Sequence, residues 1–197
     1  MPPLCTAKKG GRTEGASFAQ SAKSTERKHA VLSASSAHRW LACPPSAMLE
    51  KELPAETTVY AEEGSVAHEV AEYKVRWYLG ERDIPMPSTG NFNAEEIDRH
   101  TDSYAYYATD KIETIRKSCP DAVVMVEQRL DFSNYVEDGF GTGDLVIVAD
   151  DVIQVIDFKY GKGVAVSAEH NPQMMLYALG ALRIFDCLYD IETVSMT

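Results

Sequence analysis

The chain has 197 residues, a hydrophobic content of 45% and a net charge of −11, as expected of one globular domain with its own core. No apolar run approaches the roughly 18 residues that a membrane span requires, and no signal-peptide pattern follows the N-terminus, so we expect a cytoplasmic protein without a membrane partner. The four cysteines form no CxxC pair, which argues against a zinc ribbon or a disulfide scaffold.

The N-terminal segment is basic and lacks a regular spacing of apolar residues. Residues 1–30 contain six Lys or Arg against two Glu, with many Gly, Ser and Thr, a composition typical of disordered chain. We expect a solubilising tail or start-site extension, and a basic arm that touches phosphate is the less favoured alternative. Residues 31–197 form the predicted domain, which opens with a short helix capped by Ser33 or Ser35 and ended at Pro44.

A longer helix is predicted over Glu62–Gly80. Its apolar residues recur at intervals of four, three and four, acids occupy its first turn, and a glycine ends it. Gly64 and His68 lie one turn apart on the same face. A lone helical histidine is more often a surface or core residue than a ligand, so the helix by itself assigns His68 no role.

Two further helices are predicted from capping and stop signals. One runs from Ala94 to about Lys117 and ends before a proline. The last begins with Asn171 as N-cap and Pro172 at the first helical position. On that helix Gln173 and Tyr177 are four residues apart and therefore share a face.

The strands are predicted from runs of Val and Ile. The first, Val123–Leu130, contains Glu127 where the apolar run ends, and this acid is a weak candidate for the same site as the residues below. Two more strands, Asp144–Ala149 and Val152–Tyr160, flank the polar pair Asp150-Asp151 and predict a tight hairpin. A final alternating run, residues 191–197, resembles a strand that stops abruptly, so we expect a chain truncated at its C-terminus.

The hairpin places two carboxylates face to face. With a two-residue loop, Asp144 lies directly opposite Asp157, and alternation puts Asp144 on the face of Val146 and Val148. Like charges at that spacing are destabilising. A divalent cation held by carboxylate oxygens, Mg²⁺ or Mn²⁺, would compensate. The alternative is a solvated sheet end where Asp157 and Lys159 form an ordinary surface ion pair.

Several of these motifs resemble a known superfamily. Gly143-Asp144 followed by Asp157-Phe158-Lys159 is similar to the core of the PD-(D/E)XK nucleases. Gly64-x3-His68 before it and Gln173-x3-Tyr177 after it resemble the RecB-like exonuclease branch. With residues 33–45 included, the sequence looks like an uncharacterised phage-associated family of that branch.

The resemblance implies a restriction-endonuclease-like α/β fold, a three-layer sandwich with a mixed central β-sheet flanked by helices. It also implies a Mg²⁺- or Mn²⁺-dependent DNA nuclease that hydrolyses phosphodiester bonds, and the RecB-like branch implies an exonuclease. Such an enzyme would act in phage or bacterial DNA recombination, repair or processing. The partner would be DNA, and the resemblance also allows a homo-oligomer or a phage recombination partner. The alternative is a nuclease fold without catalysis that binds nucleic acid or serves as an adaptor.

The resemblance also assigns roles to residues. The catalytic set comprises His68, Asp144, Asp157 and Lys159, and the metal ligands are His68, Asp144, Asp157 and the backbone carbonyl of Phe158. Lys159 orients or deprotonates the attacking water, and Gln173 and Tyr177 position the DNA strand. A Cys-Pro at the place of Cys43 is an iron–sulfur ligand in some relatives. The other cysteines lack the clustered spacing, so a buried thiol is favoured for Cys43.

Overall fold

The structure is a computed structural model that describes residues 30–53, 57–161 and 166–197. The basic segment predicted to be disordered therefore lies outside the described residues, apart from Ala30. The elements in chain order are a 3₁₀ turn (Ala34–Ser36), α1 (Ala37–Ala42), α2 (Ser46–Glu52), α3 (Val59–Tyr78), α4 (Ala94–Ser118), β1 (Val123–Asp131), β2 (Phe140–Ala149), β3 (Val152–Ile156), α5 (Pro172–Phe185) and β4 (Thr193–Met196).

The strands form one mixed sheet in the order β1-β2-β3-β4. The first three are antiparallel neighbours, whereas β4 runs parallel to β3. The β2–β3 hairpin has the predicted two-residue loop, because Ala149 pairs with Val152. Asp150 accommodates the turn with a positive φ of 44°, which an aspartate tolerates better than most residues.

Helices cover both faces of the sheet. Leu145 and Ile147 of β2 pack with buried residues of α3 and α4 such as Val75 and Ile112. The alternate β2 residues, Val146 and Val148, pack on the other face with α5. The predicted α/β class with a mixed central sheet flanked by helices is therefore confirmed, and the layers are consistent with a three-layer sandwich.

The third strand is shorter than the predicted Val152–Tyr160. It ends at Ile156, because the next two backbone N–H groups do not bond to the backbone of β2. The N–H of Asp157 donates to the carbonyl of Thr197 beyond β4, and the N–H of Phe158 donates to the Asp144 carboxylate. The chain thus leaves the sheet beside the carboxylates.

The predicted helices are present, and side-chain caps set the starts of α3, α4 and α5. The predicted cap of the first helix is wrong, because Ser33 makes no capping hydrogen bond and Ser35 lies within the 3₁₀ turn. Asn171 caps α5 by accepting from the N–H of Gln173, as predicted. Thr58 caps α3, so this helix begins three residues before the predicted Glu62. Within the described ranges, none of the helices is both long enough and apolar enough to cross a lipid bilayer.

Candidate active site

Three carboxylates lie in a row, one on β1, one on β2 and one directly after β3. In the β1–β2 ladder, Val126 pairs with Leu145 and Gln128 with Gly143, so Glu127 stands opposite Asp144. In the β2–β3 ladder Leu145 pairs with Ile156, and the next step outward brings Asp157 to the other side of Asp144. The sequence predicted the second pair, and the sheet adds Glu127 to it.

The strand alternation is interrupted at Asp144. The Oδ1 atom of Asp144 lies 3.3 Å from Nδ1 of His68 on α3, although Val146 and Val148 pack towards α5. The predicted shared face of these three residues is therefore wrong. The interruption is caused by Glu127, which lies opposite Asp144 on β1. Glu127 adopts a φ of 53°, and the β1–β2 ladder has no Glu127–Asp144 pair. This irregularity turns the Asp144 carboxylate towards the histidine.

His68, Glu127 and Asp144 form a cluster suited to a divalent cation. One ligand atom from each lies within 4.8 Å of the other two. An ion with six ligands at about 2.1 Å separates opposite ligands by about 4.2 Å, so small side-chain movements bring the three atoms into range. Carboxylate oxygens are donors that both Mg²⁺ and Mn²⁺ accept, and the imidazole suits Mn²⁺ better than Mg²⁺. The residues thus fit the predicted metal.

The electrostatics of the cluster favour a bound cation. Burial, followed by the charges of Asp144 and Glu72, raises the pKa of Glu127 to about 7. Burial and the charge of Asp144 also raise the pKa of Asp157. For His68, burial opposes the charged imidazole, but the hydrogen bond and charge of Asp144 outweigh it and raise the pKa. Negative charge is therefore costly at this row of carboxylates without a cation.

The predicted amine and the two predicted α5 residues join the row through Asp157. Lys159 Nζ lies 2.6 Å from Asp157 Oδ2 and donates to Gln173 Oε1 at 2.9 Å. Gln173 Nε2 in turn donates to Asp157 Oδ1 and to the Tyr177 hydroxyl, each at 3.1 Å. Asp157, Lys159, Gln173 and Tyr177 therefore form one hydrogen-bonded network.

Asp157 and Phe158 make contacts that differ from those of His68 and Asp144, the other two predicted metal ligands. Both oxygens of Asp157 contact Lys159 or Gln173, and Glu127 completes the donor cluster with His68 and Asp144. Phe158 donates its N–H to Asp144, and its ring packs at an edge of the His68 ring, 5.2 Å between centroids. The ligand roles of the Asp157 carboxylate and the Phe158 carbonyl stay predictions.

Two glycines let α5 approach the sheet closely at this network. A Cβ on Gly141 would lie 2.6 Å from the ring of Tyr177, and one on Gly180 would lie 2.9 Å from Cβ of Leu130. In contrast, a Cβ on Gly64 would meet nothing within 4 Å. The motif glycine on α3 is therefore not required by packing around His68, whereas Gly141 is required by Tyr177.

Sequence reasoning missed one residue that ties α3 to the site. Arg76 donates from Nη2 to the carbonyl of Val126 at 3.1 Å and from Nε to Glu72 at 2.7 Å. It thereby holds the peptide just before Glu127. Its spacing of eight residues from His68 on one helix face was the available signal.

Cys43 is exposed, not buried as predicted. It is the C-cap residue at the end of α1, so its side chain is not drawn into the helix-packing layer.

A protein-family model described as "Protein of unknown function (DUF2800)" matches residues 29–197. No solved structure matches the chain.

Proposed function

The chain belongs to the DUF2800 family, described as proteins of unknown function, and we propose that it is a metal-dependent DNA nuclease of the PD-(D/E)XK type, in its RecB-like exonuclease branch. The observation that carries the proposal is the row of carboxylates Glu127, Asp144 and Asp157, with His68 at 3.3 Å from Asp144 and Lys159 at 2.6 Å from Asp157. A structural ion pair would need neither the imidazole nor the third acid.

The donor cluster of His68, Glu127 and Asp144 would hold Mg²⁺ or Mn²⁺. Such an ion, when bound, lowers the pKa of a water ligand and stabilises negative charge on the phosphate. The resemblance adds Asp157 and the carbonyl of Phe158 to these ligands. Asp144 is only 9% exposed, which holds its carboxylate in place, whereas the His68 side chain is 36% exposed and leaves the cluster open to solvent and substrate.

Lys159 is the residue that we assign to the attacking water. Its side chain is 46% exposed, so its amine can reach solvent and substrate. Asp157 and Gln173 each hold Nζ within 2.9 Å, which fixes its direction. Lys159 would orient or deprotonate the water.

Gln173 and Tyr177 would position the strand that is cut. Gln173 contacts Asp157, Lys159 and Tyr177 at once, so it sets the geometry between the acid and the amine. Burial raises the pKa of Tyr177, which keeps its hydroxyl neutral. A neutral hydroxyl can donate to a phosphate oxygen without repelling it.

Degradation of labelled linear DNA by the purified chain tests the proposal. We expect cleavage with Mn²⁺ or Mg²⁺ and none with excess chelator. Asp144→Asn should lose cleavage by on the order of a hundredfold or more, whereas Asp110→Asn, which changes an exposed acid of α4, should retain it. If the folded wild-type chain cleaves neither single-stranded nor duplex DNA with either metal, the adaptor alternative replaces the nuclease.

A further inference from the structure

A groove beside the donor cluster has no part in the proposed chemistry. It lies between α3 and residues 81–87 and encloses about 420 Å³, within the range of small-molecule sites. Its apolar lining consists of Tyr73, Ile84, Pro85, Met86 and Pro87. We call it the proline-loop groove.

The groove adjoins the candidate active site. Glu72 lines the groove on one side and borders the donor cluster of His68, Glu127 and Asp144 on the other. His68 and Glu72 are one helical turn apart, a rise of about 6 Å along α3. A ligand whose phosphate reaches the donor cluster can therefore place its adjoining group in the groove.

The charges of the groove select the part of a nucleotide that enters. Glu69, Glu72 and Glu81 line it, and Arg76 is the cation among its lining residues. Arg76 is already engaged by Glu72 at 2.7 Å and by Glu81 at 3.3 Å. A phosphate would be repelled by these acids. A neutral, flat base suits the apolar walls, and carboxylate oxygens can accept from its exocyclic amino group.

We propose that the proline-loop groove binds an unpaired base of the strand that is cut, next to the scissile phosphate, and so selects single-stranded or frayed DNA. The inference rests on the proposed nuclease function and names the substrate of that same site. A base within a duplex is stacked and paired and cannot reach the groove, whereas an unpaired base can stack on the Tyr73 ring and the flanking apolar side chains.

The test compares cleavage of end-labelled single strands with Mn²⁺ present. Each strand carries one abasic position, and the series of strands moves this position stepwise past the cut bond. We expect wild-type kcat/KM to fall about tenfold or more when the base at one position is missing. Met86→Asp places a charge in the groove at a residue that is 68% exposed, so the fold should persist. This variant should show the same loss on the complete strand and no further loss on the abasic one.

Met48→Asp is the matched control, because Met48 is 59% exposed on α2 and does not line the groove. It should behave like the wild type on every strand. Equal cleavage of complete and abasic strands, or faster cleavage of blunt duplex than of single strand, would overturn the inference and leave the nuclease function standing. Failure to cleave any DNA would remove the nuclease function and this inference together.

Discussion

Replacing Glu127 by Gln should stabilise the metal-free protein at high pH and weaken its response to Mn²⁺. Glutamine has nearly the same shape, so the cost of the positive φ at this position is unchanged. The substitution removes the carboxylate that faces Asp144. Glutamine therefore tests the charge of Glu127 and not its backbone.

The size of the effect follows from the pKa of Glu127, raised from 4.5 to about 7. The folded state holds this proton more tightly than the unfolded state, so stability falls as pH rises from about 4.5 to 7. After allowance for solvent screening of a partly exposed group, ionisation costs about 1–2 kcal/mol at pH 8. In a chain of this length that corresponds to a Tm shift of about 3–6 °C.

Thermal unfolding followed by circular dichroism measures the prediction. In chelator at pH 8 the Glu127→Gln variant should melt about 3–6 °C above the wild type, and at about pH 4, below the ordinary pKa of 4.5, the two should nearly coincide. Glu137→Gln, a change of an exposed loop acid, should shift neither value. Saturating Mn²⁺, at about a hundred times its Kd, should stabilise the wild type by roughly 2.7 kcal/mol and the Glu127→Gln variant by less.

Two outcomes would refute the reasoning. If the variant is no more stable than the wild type at pH 8 without metal, the three acids are not electrostatically crowded. If Mn²⁺ raises the Tm of both proteins equally, Glu127 is not a ligand, and the site consists of the acids predicted from the hairpin alone.

Three further changes test other parts of the site. Lys159→Arg should fold and bind metal but lose cleavage of linear DNA by about a hundredfold, because a guanidinium cannot accept the proton; a rate near wild type would remove the amine from the mechanism. His68→Ala should weaken Mn²⁺ binding in calorimetry and activity together, and an unchanged titration would make this residue structural. Gly141→Ala should lower the free energy of unfolding, measured by chemical denaturation, by roughly 1–3 kcal/mol, because Tyr177 must move. Gly64→Ala should not lower it, and equal losses in the two variants would contradict the close packing of α5 on the sheet.

The parts of the fold that the sequence predicted are those set by near neighbours. The β2–β3 hairpin needs only its two-residue loop and its flanking apolar runs, so counting outward placed Asp144 opposite Asp157. The start of α5 needs only Asn171 and Pro172. In each case the residues that decide the geometry are close together in the chain.

The parts that escaped prediction depend on residues far apart. The sequence offered Glu127 only as a weak candidate, because its position opposite Asp144 depends on a register that crosses the connection between β1 and β2, and no turn signal fixes that register. The end of β3 depends on a bond from the N–H of Phe158 to the side chain of Asp144. Arg76 reaches the carbonyl of Val126, fifty residues away. Local propensity carries no information about such contacts.

The position of Asp144 on β2 divides the site into two parts of different rigidity. β2 lies between β1 and β3, and its residues from Gly143 to Ala149 are buried, so its backbone opens only when the domain unfolds as a whole. Lys159 instead follows the last residue of β3, outside the ladder. In the proposed nuclease, local fluctuations that break the contacts of Lys159 with Asp157 and Gln173 would move the amine while the donor cluster keeps its geometry, so that successive phosphates would pass a fixed ion.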